Sequence, residues 1–124
     1  MKKYQIISII FFLSISVSAM EKERPVPLKS GNYKFQYCDV EYANPICFPG
    51  LDVKIQGRKI WVTNNTDRLK GHNGLIVSGT LSWHKNSNSW IIATNAADKI
   101  AKEVGGCSDG PREIDLTNRT FYSC

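Results

Sequence analysis

The feature that most restricts the fold of this chain is its set of four cysteines, Cys38, Cys47, Cys107 and Cys124. An even number of cysteines in a short exported chain indicates a disulfide framework, which supplements the limited core of a small domain. Zinc sites favour closely spaced Cys-x-x-Cys pairs, whereas the shortest gap here holds eight residues. We therefore expect two disulfides and no metal site.

Four cysteines allow three pairings, and the sequence leaves all three open. Closing a short loop costs less chain entropy than closing a long one. This argument favours pairing Cys38 with Cys47 and Cys107 with Cys124.

The first 19 residues have the features of a cleavable secretory signal. Lys2 and Lys3 are followed by an apolar run over residues 6–17, and small residues at 17–19 resemble a cleavage site. The run is shorter than the roughly 20 residues that a membrane-spanning helix needs. We therefore expect a periplasmic or secreted product with no stable membrane insertion.

The remaining 105 or so of the 124 residues suffice for one domain. Residues 20–30 are charged and carry two prolines, which predicts a flexible leader before a single β-rich domain over residues 31–124. Removing Lys2 and Lys3 lowers the formal net charge from +5 to about +3. Nucleic-acid binders depend on many phosphate contacts, so this mild excess predicts no nucleic-acid partner.

Alternation of apolar and polar residues predicts most of the strands. Tyr33, Phe35 and Tyr37 alternate with polar residues, which is typical of a half-buried strand. Two further strands flank Gly57, whose positive φ would suit a tight hairpin turn. The residues from Glu41 to Gly50 contain two turn signals and are predicted to form a loop.

Leu75, Val77, Leu81 and Trp83 are predicted to share the buried face of another strand, with a bulge or bend at Gly79. Polar residues then predict a second hairpin, across which Trp83 and Trp90 would face each other.

The region after the second hairpin predicts one short helix over about residues 96–104. Asn95 is suited to cap it, and Gly105 and Gly106 are suited to end it. One or two strands follow before the terminal cysteine. About six short strands and one helix predict a mainly β fold, a small antiparallel barrel or sandwich.

Catalytic residues are not evident in the sequence, which favours a non-enzymatic protein without a cofactor. The chain has two histidines, His72 and His84, and a nuclease or other small hydrolase could use both as acid and base. No spacing between them forces such a pairing. The sequence also lacks the common nucleophile, zinc-protease and phosphate-loop motifs.

Loop residues are the strongest candidates for binding. Trp61 must face away from its neighbours Ile60 and Val62, so it lies either on a second buried surface or on an exposed one, where it could anchor a partner. The other candidates lie in three loops: Arg68, Lys70, His72, His84, Lys85, Ser108 and Asp109.

These observations favour an exported protein that binds another exported protein, such as an enzyme inhibitor or immunity protein acting through disulfide-braced loops. One alternative is a carrier that holds a small ligand in a barrel lumen. The other is the hydrolase or nuclease that would use His72 and His84.

Overall fold

The computed structural model describes residues 23–41, 43–65 and 73–124, so the predicted signal over residues 1–19 lies outside the described residues. Within these ranges the chain forms one closed β-barrel, which confirms the predicted fold class. None of the described helices has the length and apolar character needed to cross a membrane. The strands are β1 (Gly31–Asp39), β2 (Ile46–Gln56), β3 (Lys59–Asn64), β4 (Gly74–His84), β5 (Ser89–Ala93), β6 (Arg112–Asp115) and β7 (Thr120–Ser123).

The barrel is a meander in which each strand pairs antiparallel with the next. Closure brings β1 against β7, and these two strands are parallel, with Tyr37 opposite Phe121. The parallel pair follows from the number of strands, because the first and last of seven alternating strands run in the same direction.

The barrel interior is filled by the apolar side chains that alternate along the strands. Phe35, Ile60, Leu81 and Phe121 are each no more than 2% exposed. A barrel of this size is expected to fill with side chains rather than enclose a ligand cavity. Among the described residues, the buried core cluster consists of Phe35, Tyr37, Leu51, Val53, Ile55, Ile60, Val62, Leu81, Trp90, Ile92, Ile114, Leu116 and Phe121.

Two glycines have distinct structural roles. Gly57 is the first residue of the two-residue β2–β3 turn and has φ +62°, as the sequence predicted. Gly79 does not form a bulge. A Cβ atom there would lie 2.4 Å from the Ala93 carbonyl oxygen, so its lack of a side chain permits close approach of two strand backbones.

The bulge in β4 lies nearer its start than predicted. Val62 pairs with Val77 and Thr63 pairs with Leu75, which leaves Ile76 as the extra residue. Because a bulge reverses the alternation beyond it, Ile76 packs against the core. Leu75, predicted to be buried, is 59% exposed.

The predicted helix over about 96–104 is shorter than expected. It is a single 3-10 turn over Ala96–Ile100 that begins with a capping box between Asn95 and Asp98. Ile100 is 81% exposed, so the last residue of the turn does not pack against the core. The chain extends from Ala101 instead of continuing the helix.

Two disulfides are present, with the pairing that the short-loop argument favours: Cys38–Cys47 and Cys107–Cys124. Residues 46–50 belong to β2 rather than to the predicted loop, so the first disulfide joins directly opposed residues of β1 and β2. The second joins the long connection between β5 and β6 to the end of β7. Residues 94–111 form that connection, called here the cover segment.

Candidate functional site

The residues that precede β1 lie across one end of the barrel. Residues 23–28, called here the strap, have no regular secondary structure, and Val26 and Leu28 pack against the core. Arg58 at the β2–β3 turn binds the strap: its Nη1 donates a hydrogen bond to the Arg24 carbonyl oxygen at 2.8 Å. Its Nε lies 3.2 Å from Glu23 Oε2. The flexibility predicted for residues 20–30 stays a prediction.

Two tryptophans lie beneath the strap. Trp83 and Trp90 are cross-strand partners on β4 and β5, as predicted. Their rings meet edge to face with centroids 5.6 Å apart. The Arg24 guanidinium lies 3.6 Å from the centroid of the Trp83 ring. A guanidinium over an indole face is attracted by the ring quadrupole, so this contact helps to fix the strap on the barrel.

A cleft of about 440 Å³ lies between the strap, the β4–β5 hairpin and β6. This volume falls within the usual range for ligand-binding clefts. Its lining includes two aromatic residues, Trp83 and Trp90, and two acidic residues, Glu113 and Asp115. We call it the strap cleft; its lining is Arg24, Pro25, Pro27, Trp83, Asn88, Ser89, Trp90, Glu113, Ile114, Asp115, Leu116, Thr117 and Tyr122.

The two carboxylates of the strap cleft differ in their surroundings. The Asp115 carboxylate stabilises the β6–β7 turn. It accepts hydrogen bonds from the backbone N–H groups of Thr117 and Asn118 and from Asn118 Nδ2. Within the described ranges, no side chain pairs with the Glu113 carboxylate. Burial raises the pKa of Glu113, and the nearby Asp115 charge raises it further. Burial and both carboxylates also raise the pKa of Tyr122.

The raised pKa of Glu113 predicts a pH-dependent effect of Glu113→Gln on stability. The folded state favours the protonated carboxyl, so wild-type stability falls as pH rises from the unfolded pKa through the folded pKa. At pH 7 the neutral amide removes the unfavourable carboxylate charge and should raise the melting temperature by roughly 2 °C. The gain is small because the group is partly exposed and solvent screens its charge. The gain should vanish near pH 4. Thermal melts from pH 4 to 8 would check this, and a gain independent of pH would contradict it.

His84 is buried beneath the cover segment and is only 2% exposed. Its Nε2 lies 2.7 Å from the Ala101 carbonyl oxygen, which can only accept, so the proton is assigned to Nε2. Its Nδ1 accepts from the Ser87 N–H at 3.2 Å. Both ring nitrogens are therefore used within the fold, and His84 is not available to an external partner.

The other predicted residues near the cover segment differ in exposure. The Ser108 hydroxyl donates to the Gly105 carbonyl oxygen at 2.6 Å, which is a structural role within the loop. Asp109 is exposed. Lys85 lies in the β4–β5 turn and lines a second cleft with Arg24 and Trp83, next to the strap cleft.

Trp61 lies on the outside of β3 and is half-buried, between the fully buried Ile60 and Val62. Lys54 is its cross-strand partner, and the Lys54 Nζ lies 5.4 Å from the centroid of the indole ring. Trp61 is outside the hydrophobic core and separate from the strap cleft. Its use as a binding anchor stays a prediction.

Arg68, Lys70 and His72 lie outside the described residues, which omit 66–72. Strand β3 ends, and strand β4 begins, at the end of the barrel opposite the β4–β5 turn. The described residues on either side of the gap, Asn65 and Asn73, therefore lie at the other end of the barrel from Lys85. In the described parts of the chain, no group of three or more His, Cys, Asp or Glu residues could hold a metal ion.

Comparison with known proteins gives no relative. The chain matches no protein-family model, no curated protein and no solved structure. The assignment of function therefore depends on the residues of the barrel itself.

Sequence reasoning missed most of the strap cleft. The sequence predicts a flexible leader for the segment with Arg24, Pro25 and Pro27, and it does not indicate Glu113 as a site residue. One signal was available: Val26 and Leu28 are apolar residues in a charged segment, and valine and leucine are among the residue types most often buried.

Proposed function

We propose that this protein is an exported, non-catalytic binding protein that holds a segment of another exported protein in the strap cleft. The observation that carries the proposal is the open cleft itself, lined by aromatic and by acidic residues, on a barrel whose interior is filled. The two disulfides are compatible with an oxidising compartment outside the cytoplasm.

The chemistry of the cleft lining favours a protein partner. Tryptophan and tyrosine are enriched among the residues that dominate protein–protein binding energy. Trp83 and Tyr122 are half-buried, so each retains surface that a partner can cover. The edge-to-face contact with Trp90 holds the Trp83 ring in place, so little side-chain entropy is lost on binding.

The two alternative functions have less support. A lumenal carrier needs interior space, whereas Phe35, Ile60 and Phe121 fill the barrel. A nuclease that uses His84 needs an accessible imidazole, whereas this ring is buried and has partners at both nitrogens. Both observations favour a binding surface on the outside of the barrel.

Site-specific photo-crosslinking in the native host tests the proposal. A benzophenone amino acid would replace Thr117, which is exposed and lines the strap cleft, or Asn44, which is exposed in the β1–β2 loop at the other end of the barrel. We expect one discrete protein adduct from position 117 and none of that mass from position 44.

The partner recovered in the adduct would then be mixed with the unmodified full chain and should form a stoichiometric complex in size-exclusion chromatography. The same adduct from both positions, or no protein adduct from position 117, would contradict the proposal. A small molecule that remains bound to the purified chain in native mass spectrometry would favour the carrier instead.

A further inference from the structure

We propose that the strap cleft receives a cationic side chain, an arginine or a lysine, from the partner, with its apolar stem against Trp83 and its charge at Glu113. The inference rests on the proposed function of the strap cleft and names the chemical group that the cleft selects. The occupant is a basic segment of an exported protein.

Charge complementarity is the first argument. The charged residues that line the cleft are Arg24, Glu113 and Asp115, so the lining carries a net negative charge, whereas the chain without the predicted signal has a formal net charge of about +3. A lining with an excess of negative charge attracts and orients a cationic group. A cationic group therefore complements this cleft better than an anionic or neutral one.

The state of Glu113 is the second argument. Its carboxylate has no partner among the described residues, whereas the neighbouring Asp115 is held by three hydrogen bonds of the β6–β7 turn. A half-buried carboxylate without a counterion gains more from a cation than a solvated one, since the pair forms in a medium of lower dielectric constant. Glu113 is thus the group to which an entering cation would bind.

The aromatic lining is the third argument. Arg24 of the strap already lies with its guanidinium 3.6 Å from the Trp83 ring centroid, and the Arg58 guanidinium lies 5.6 Å from that of Trp90. This end of the barrel therefore already packs cationic side chains on indole rings. The apolar stem of a lysine or arginine also suits a surface built from tryptophan, proline and leucine, because such stems readily cover apolar surface.

Titration of the full chain with the peptide acetyl-Ala-Arg-Ala-amide tests the inference. The readout is the set of indole N–H signals of Trp61, Trp83 and Trp90 in two-dimensional NMR spectra. We expect the Trp83 and Trp90 signals to shift in a saturable way, while Trp61, on the outside of β3, stays in place. The matched neutral peptide, with norleucine in place of arginine, should cause little shift.

Glu113→Gln should weaken binding of the arginine peptide about fivefold, the effect of one partly screened ion pair. Glu41→Gln makes the same charge change at an exposed site at the other end of the barrel and should leave the affinity unchanged. Equal shifts with the norleucine peptide, or equal affinities for wild type and Glu113→Gln, would overturn the inference.

The two proposals can fail separately. A protein adduct at position 117 without arginine-peptide binding would leave the binding function standing and reject the cationic group. Peptide binding without an adduct would support a cation-selective cleft and reject the protein partner.

Discussion

Gly79→Ala should lower the free energy of unfolding by about 3 kcal/mol, the upper end of what overpacking a well-packed interior costs. The added methyl group would lie 2.4 Å from the Ala93 carbonyl oxygen and 3.0 Å from the Ile92 side chain. Because the closer atom belongs to the backbone, β4 and β5 would have to separate. Chemical denaturation followed by tryptophan fluorescence would measure the loss, since Trp83 and Trp90 lie on these strands.

Gly31→Ala is the matched control, because it introduces the same methyl group into another strand. There the nearest atom is a ring carbon of Tyr33 at 3.7 Å, which is an ordinary contact. We expect a change within about 0.5 kcal/mol, as for other surface substitutions. Similar losses in the two variants would contradict the close-approach explanation for Gly79.

Replacing both Cys107 and Cys124 with serine should cost about 3 kcal/mol of stability, from the chain entropy released when a loop of this length opens. The two cysteines are 17 positions apart. The bond holds the cover segment against the end of β7, so its loss should also loosen the layer over His84 and Ile91. Hydrogen exchange should accelerate mainly in residues 101–110, while the amides of β1 to β3 stay protected.

Reduction of the wild type provides the control for the disulfide. A reductant should lower the melting temperature of the wild type more than that of the Cys107→Ser/Cys124→Ser variant, which keeps only the Cys38–Cys47 bond. If the variant melts at the wild-type temperature and its cover segment exchanges no faster, the proposed role of this disulfide is wrong.

The strands and turns were largely predictable because they depend on local patterns. Alternation located β1, Gly57 indicated the β2–β3 turn, and the spacing of Trp83 and Trp90 gave their cross-strand contact. Leu75 was placed on the wrong face because one extra residue, Ile76, reverses the alternation. No composition signal distinguishes a bulged strand from a regular one at that position.

The site was less predictable because it depends on contacts between segments far apart in sequence. His84 was considered a surface residue because it adjoins a polar turn, yet the cover segment folds back over it from residue 101. The strap cleft likewise combines Arg24 with Glu113. Nothing local to either residue indicates the other, since the two residues line one cleft only when the closed barrel carries the strap across its end.

The odd number of strands in the barrel has a practical consequence for engineering. β1 begins at the strap end and β7, which runs parallel to it, finishes at the opposite end. A reporter or affinity tag fused behind Cys124 would thus stand clear of the strap cleft. A circular permutant, by contrast, would need a linker long enough to run the height of the barrel.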